Sequence, residues 1–274
     1  MKLAIAGKGG AGKTTLAASL ARRLARKGRS VVAVDADPDG NLASALGVPP
    51  ERVPEPIVRM RELVRERTGA KDDGWGLMFK LNPKVDDLDA RFSVDAGSLS
   101  ACGHAQAGGP GKLRLLVLGT VETGGAGCMC PEGAVLKALL AHLLLLVEDD
   151  VVLDMEAGLE HMGRGSARGV DAMIAVVEPG MRSVQTAERV VSLAGDIGIE
   201  RVYVVLNKVS EERQRKSLER ALKGRAILGV LPLSEVLARA DLDGKPVDGA
   251  LEEGQAFAAA IDAVGAAIEK ELAA

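Results

Sequence analysis

Residues 1–15 read MKLAIAGKGGAGKTT, and their order decides the fold. The apolar run Leu3 to Ala6 has the length of a strand and ends in Gly7. Lys8, Gly9, Gly10, Ala11 and Gly12 follow, and Lys13, Thr14 and Thr15 open a stretch with helical spacing. Gly7, Gly12, Lys13 and Thr14 satisfy the pattern G-x-x-x-x-G-K-[ST], in the strand-before, helix-after context that makes it a phosphate-binding loop. Glycines let the backbone turn and aim its N–H groups inward as an anion nest. The helix that follows adds the positive end of its dipole. Lys13 is then expected to reach the β- and γ-phosphates of a nucleotide, and the Thr14 hydroxyl to ligate Mg²⁺. Residues 7–15 are the expected nucleotide-binding segment.

Outward from this loop, strand-like and helical runs alternate. Apolar runs fall at Val31 to Val34, Leu113 to Leu118, Val151 to Leu153, Ala172 to Val177, Val202 to Leu206 and Ile227 to Val230. Helical patterns fall at Thr14 to Lys27, Pro131 to Val147, Ser183 to Ala194 and Glu211 to Leu222. The strands are apolar throughout, as in a parallel sheet covered on both faces. The rhythm predicts an α/β fold: a doubly wound, mostly parallel sheet with helices on both faces and ligands at the carboxyl ends of the strands. Residues 48–112 break it with Pro49, Pro50, Pro54 and Pro56, a charged helical stretch from Arg59 to Arg67 and a Gly/Ala/Ser-rich run, so they read as an irregular excursion from the sheet. Residues 255–274 read as a docked C-terminal helix. One domain over 1–274 is expected.

Composition narrows the function. Net charge is −3 and aromatic residues make up 2% of the chain, which argues against a nucleic-acid surface or a single-strand stacking platform. Ala134 to Val147, the longest apolar segment, carries Lys137 and His142 and is too short to cross a bilayer. The first strand leads directly into the glycine loop without a targeting segment, so a cytoplasmic location is expected. In that reducing compartment the three cysteines suit metal or redox chemistry better than a disulfide.

Carboxylates cluster at strand ends. Asp35 to Asn41 read DADPDGN, and Val151 to His161 read VVLDMEAGLEH. An acid at the carboxyl end of a parallel strand beside the loop is placed to hold water or Mg²⁺; Asp154 is the expected carboxylate of the Mg²⁺ shell. An Asx-rich turn is the bland alternative for Asp35, Asp37 and Asn41. After the strand at Val202 comes NKVS, Asn207 to Ser210. A guanine site would need an acid two residues after Lys208, where Ser210 stands, so Asn207 favours adenine and hence ATP or ADP, with Lys208 beside it. Cys128 and Cys130 form a Cys-x-Cys pair before the helix at Pro131. The helix N-terminus favours the thiolate. Two thiols are half of a four-ligand soft-metal site, and a two-fold axis would supply the rest. Two ordinary buried cysteines remain the alternative.

The string GKGGAGKT resembles the deviant phosphate loop of the MinD, ParA and nitrogenase iron protein family. That resemblance implies a homodimer with ATP sandwiched between subunits, in which Lys8 reaches the partner's phosphates. It also implies that Asp37 orients the attacking water and supports Mg²⁺, that Asp35 and Asn41 assist, and that Gly158 is the switch glycine sensing the γ-phosphate. Lys8, Lys13 and Asp37 are then the catalytic set.

Over nearly its full length the chain resembles a narrower group, the CooC-type nickel-handling accessory ATPases of carbon monoxide dehydrogenase maturation. The resemblance is carried by GKGGAGKT, DADPDGN, LNPKVDDL (Leu81 to Leu88), the Cys-x-Cys segment, LDMEAGLEHMGRG (Leu153 to Gly165), VVEPG (Val176 to Gly180) and NKV. It implies an ATP- and metal-dependent homodimer holding Ni²⁺ or Zn²⁺ through Cys128 and Cys130 of each subunit, and a nickel enzyme such as carbon monoxide dehydrogenase as client. No membrane or nucleic-acid partner is expected. The segment around Cys102 and His104 departs from the pattern. Two alternatives are an iron-protein-like ATP-dependent reductase, which needs a further cysteine beyond Asp154 that the chain lacks, and a positioning ATPase of the MinD/ParA type.

Overall fold

A computed structural model describes residues 1–72, 77–97, 111–120, 130–157, 167–247 and 254–274. In chain order the elements are β1 (Lys2–Gly7), α1 (Lys13–Arg26), β2 (Val31–Ala36), α2 (Leu42–Ala45), α3 (Arg61–Thr68), β3 (Lys71–Asp72), β4 (Leu77–Met78), α4 (Leu88–Phe92), β5 (Val94–Asp95), β6 (Leu113–Val117), α5 (Pro131–Leu145), β7 (Asp150–Met155), β8 (Ala172–Val177), α6 (Met181–Ile197), β9 (Val202–Val209), α7 (Glu212–Ala221), β10 (Ala226–Pro232), α8 (Glu235–Leu242) and α9 (Gln255–Ala273).

The main sheet runs β10-β9-β8-β1-β7-β2-β6-β5. Every pairing in it is parallel except β5 with β6. Strand β1 lies at its centre because it is apolar on both faces: Ala4 and Ala6 enter one core layer, Leu3 and Ile5 the other. Alternation of side chains along a strand makes this division automatic. Helices α3, α4, α5, α6 and α7 cover the first layer. Helices α1, α2 and α9 cover the second, with Phe257, Ile261, Val264 and Ile268 of α9 buried there. Burying such a side chain contributes roughly 1.5–3 kcal/mol, so α9 is a docked helix as its spacing predicts.

The expected segment 48–112 is not wholly off the sheet. Its Val94–Asp95 strand joins as the antiparallel edge, pairing with Leu115 and Arg114. Two residues are too short to give a periodic signal, and their pairing depends on a strand twenty residues later. Helix α8 also has no counterpart in the sequence reading. It starts at Ser234, whose hydroxyl accepts from the Leu237 N–H at 3.3 Å, an N-cap with only eight residues behind it.

Candidate functional site

The register of β1 with β7 and β8 brings the sequence motifs together at one end of the sheet. Ile5 pairs with Asp154, Gly7 with Val176, and Asp35 with Asp154 across β2 and β7. The loop after β1, the acid at the end of β7 and the turn after β2 therefore share one edge.

Two glycines show why the loop has its composition. Gly7 has φ +155°, and a Cβ there would lie 2.7 Å from the Val176 carbonyl oxygen. Gly12 has φ +93°, and a Cβ would lie 2.1 Å from Asn207 Nδ2. Neither space nor backbone angle admits a side chain. Gly12 is the N-cap of α1, with no side-chain cap and no acid in the first turn. The first N–H groups of α1 have no intrahelical acceptor, which leaves them for an anion.

Around the loop sit charges withdrawn from water. Lys13 and Asp37 are 7% and 8% exposed and form an ion pair at 3.2 Å. Asp37 Oδ1 accepts from the Asp39 N–H at 3.1 Å. Asp35 accepts from the N–H groups of Asp37 and Leu42, at 3.2 and 3.0 Å. Its carboxylate ties the turn after β2 to α2, a structural task that holds Asp37 in place. Asp154 is fully buried. Its Oδ2 accepts from the Thr14 hydroxyl at 2.7 Å, while Oδ1 has no hydrogen-bond partner among the described residues. Burial pushes the Asp154 carboxyl up to about 7, and Asp35 and Asp37 add repulsion that Thr14 and Lys13 only partly offset. Burial likewise raises Asp35 to about 6 against the hydrogen bonds from Leu42 and Asp37.

These groups fit Mg²⁺. Asp154 Oδ1, buried without a hydrogen-bond partner among the described residues, and the Thr14 hydroxyl on Oδ2 are hard oxygen donors side by side, and Mg²⁺ takes one or two protein ligands with waters and phosphate oxygens. No group of three or more His, Cys, Asp or Glu that could hold a metal occurs among the described residues, which such a sparse site does not need.

A cavity of about 540 Å³ runs from the loop along the sheet edge. Gly10, Gly12, Lys13, Thr14, Thr15, Asp37 and Asn41 line its phosphate end. Asn207, Lys208, Pro232, Leu233, Leu237 and Phe257 line the other, with Asp241 and Lys245. Its size suits a nucleotide. The wall from α8 and Phe257 was absent from the sequence reading; the Ser234 cap was the one local signal for it. Asn207 is 4% exposed and its Nδ2 donates to the Ala11 carbonyl at 2.8 Å, so its amide group braces the phosphate loop. Lys208, with φ +58°, donates to the Gly10 carbonyl. Lys8, expected to reach a partner, pairs within the chain with Glu178 at 2.8 Å.

Cys130 is the N-cap of α5, and its Sγ accepts from the Gly133 N–H at 3.3 Å. Cys128 and Gly158 lie outside the described residues, as do Cys102 and His104.

Comparison with known proteins agrees with this geometry. The CobQ/CobB/MinD/ParA nucleotide binding domain family matches residues 2–247. The carbon monoxide dehydrogenase accessory protein CooC of Rhodospirillum rubrum is 43% identical over 246 residues, 89% of this chain and 88% of that protein. An uncharacterized ATP-binding protein of Methanocaldococcus jannaschii is 41% identical over 250 residues, 90% of this chain and 91% of its own length. In fold, the MinD cell division protein of Aquifex aeolicus superposes with a TM-score of 0.66 at 20% identity, covering 98% of this chain and 97% of that one. A ParA family ATPase of Chlorobium tepidum gives 0.64 at 18% identity, with 96% of each chain covered. Loop, buried acids, sheet order and these likenesses converge: the chain belongs to the CobQ/CobB/MinD/ParA nucleotide-binding family and is a P-loop ATPase.

Proposed function

We propose that the chain is a homodimeric, ATP-driven metallochaperone that carries Ni²⁺ or Zn²⁺ on Cys128 and Cys130 and assists nickel insertion into carbon monoxide dehydrogenase or a related nickel enzyme. The carrying observation is the near-full-length identity with the Rhodospirillum accessory protein. One ATPase domain spans 1–274, and its place is the cytoplasm; no helix among the described residues is long and apolar enough to cross a membrane.

In this reading the loop N–H groups and Lys13 bind the β- and γ-phosphates. Thr14 and Asp154 would hold Mg²⁺, which would offset phosphate charge, with Asp37 in a supporting role. When phosphate draws Lys13 away, the freed Asp37 Oδ2 accepts a hydrogen bond from the attacking water and orients it. Catalysis comes from positioning and electrostatics. Lys8 of each subunit supplies charge to the other's phosphates, and Gly158 reports the γ-phosphate to the segment after β7. Asn207 and Lys208 brace the loop, Asp35 and Asn41 assist at the phosphate end, and the α8 wall encloses the base.

Cys130 caps α5 with its sulfur against a backbone N–H, a setting that favours thiolate over thiol. A symmetric pair of chains brings four such sulfurs to one axis, the donor set soft metals take. The deciding experiment is metal content and molecular mass, with and without Mg²⁺-ATP, for the wild type and Cys128→Ala/Cys130→Ala. One metal per dimer, lost in the double variant, is expected. Unchanged stoichiometry in the variant removes the metal-carrying role and leaves the ATPase intact.

A further inference from the structure

Glu178 stands at the end of β8, and the sheet register decides its neighbours. Gly7 pairs with Val176 and Val177 with Leu206, so chain leaving β1 and β9 flanks it on either side. Lys8 Nζ lies 2.8 Å from Glu178 Oε1, and Lys208 Nζ lies 3.5 Å from Oε2. One carboxylate thus bridges two lysines that border the phosphate loop. Its backbone is itself held, since the Glu178 N–H donates to Ser183 Oγ at 3.1 Å, and Ser183 is buried. The Glu178 side chain is 20% exposed against 40% for Lys8: the acid is the more enclosed of the two and the lysine the more open to a partner.

We propose that Glu178 is a positioning residue that holds Lys8 on its own subunit until a partner's nucleotide takes it. This rests on the dimer reading above and adds the element that keeps the nucleotide-free chain from presenting Lys8. The physical reason is competition. An ammonium paired with a carboxylate at 2.8 Å has its charge largely answered, and only a stronger anion, such as the phosphates of Mg²⁺-ATP across the two-fold axis, draws it off. Lys208, anchored on the Gly10 carbonyl, keeps Glu178 in register when Lys8 leaves. An ion pair of this exposure shifts an equilibrium by roughly 1.4- to 5-fold, and two such pairs open in a symmetric dimer, so their effects multiply to about 2- to 25-fold.

The test compares wild type, Glu178→Gln and Glu178→Asp, with thermal unfolding to establish that each is folded. Sedimentation velocity with a slowly hydrolysed ATP analogue and Mg²⁺ is expected to give tighter association for Glu178→Gln by about 2- to 25-fold, with Glu178→Asp between. In nucleotide-free chains, amine labelling read by mass spectrometry is expected to rise at Lys8 severalfold in Glu178→Gln, with Lys27 and Lys71 unchanged. A general loosening would instead raise labelling at Lys2, which is buried and bonded to the Val147 and Asp149 carbonyls. Equal or weaker association of Glu178→Gln than of a wild type that dimerises overturns the restraint alone. A wild type that stays monomeric with the analogue overturns the dimer reading and the restraint with it. Unchanged labelling of Lys8 also overturns the restraint.

Discussion

The two ends of the central sheet bury charge in opposite ways. At the carboxyl end, Asp35, Asp37 and Asp154 are all buried, and among the described residues Lys13 is the one buried ammonium with them. Among the described residues Asp154 Oδ1 has no hydrogen-bond partner; Asp150 Oδ2 at the amino end has none either, but it pairs with Arg29. At the amino end, Asp150 is 4% exposed and receives the Met1 amine at 2.7 Å together with Arg29. Arg114 pairs there with Asp149 at 2.6 Å and with Asp89 at 3.7 Å. Asp171 accepts the Lys2 N–H, and the Lys2 ammonium donates to the Val147 and Asp149 carbonyls. Buried charge is costly unless paired. The amino end is paired and therefore structural. At the carboxyl end, among the described residues, three buried acids share Lys13, and on the proposed reading Mg²⁺ bound with the nucleotide would answer the remaining charge. Uncompensated burial is thus the mark of the working end.

The largest effect expected from this contrast is on turnover. Lys13→Gln removes the buried cation that pairs with Asp37 beside Asp35 and Asp154, and steady-state phosphate release is expected to fall about 10²- to 10³-fold. A loss below tenfold would show that Lys13 is not the counter-charge the site depends on. At the other end, Asp150→Ala leaves the Met1 amine and Arg29 without their acid. Breaking a buried pair costs about 3–5 kcal/mol; Arg29 is 38% exposed and rehydrates, so about 2–3 kcal/mol is expected from denaturant midpoints. Turnover per folded molecule should hold. A matching drop in turnover would erase the division between structural and working ends.

Asp154→Asn is expected to separate stability from binding. Without Mg²⁺ at pH 8 the variant should be more stable than wild type by about 1–2 kcal/mol, since a strained charge is gone. Its gain in nucleotide affinity on adding Mg²⁺ should shrink at least tenfold. Destabilisation at pH 8, or a full Mg²⁺ effect, breaks the reading of Asp154 as a carboxylate kept for a cation.

The most gradual effect is the slope of stability with pH in the metal-free chain. Asp154 and Asp35 are raised to about 7 and 6, so folding takes up protons. Their contribution is complete below about pH 4 and is lost as pH rises through 6 and 7, by at most about 1.4 kcal/mol per unit and group. Asp149 has the opposite sign. Burial favours its neutral form, but the Arg114 and Ser30 hydrogen bonds and the charges of Arg114 and Lys2 outweigh it and hold it below the usual range. Its contribution is present above the unfolded value and lost as pH falls. Unfolding from pH 5 to 8 should show a falling trend that flattens in Asp154→Asn and persists in Asp149→Asn. A trend that flattens only in Asp149→Asn inverts the assignment.

How much was legible in advance depends on the range over which each residue acts. The phosphate loop, its helix and seven of the parallel strands were readable because their signals are local: glycines at set intervals, apolar runs of strand length, helical spacing behind Thr14. Asp154 was found because an acid ending an apolar strand is also a local pattern. Helix α8 was missed because eight residues with one cap give too little periodicity, and β5 because a two-residue edge exists only when its partner is present.

What the amino-acid order determined alone is therefore the doubly wound class, the phosphate-binding segment and the acids beside it, since each follows from neighbours within a few positions. Only the tertiary structure decided that Asn207 braces Ala11 from 196 residues away, that Asp154 is buried against the Thr14 hydroxyl, and that Lys8 rests on Glu178. Burial and long-range pairing arise when strands distant in sequence align at one sheet edge, and no local spacing encodes the register at which they meet.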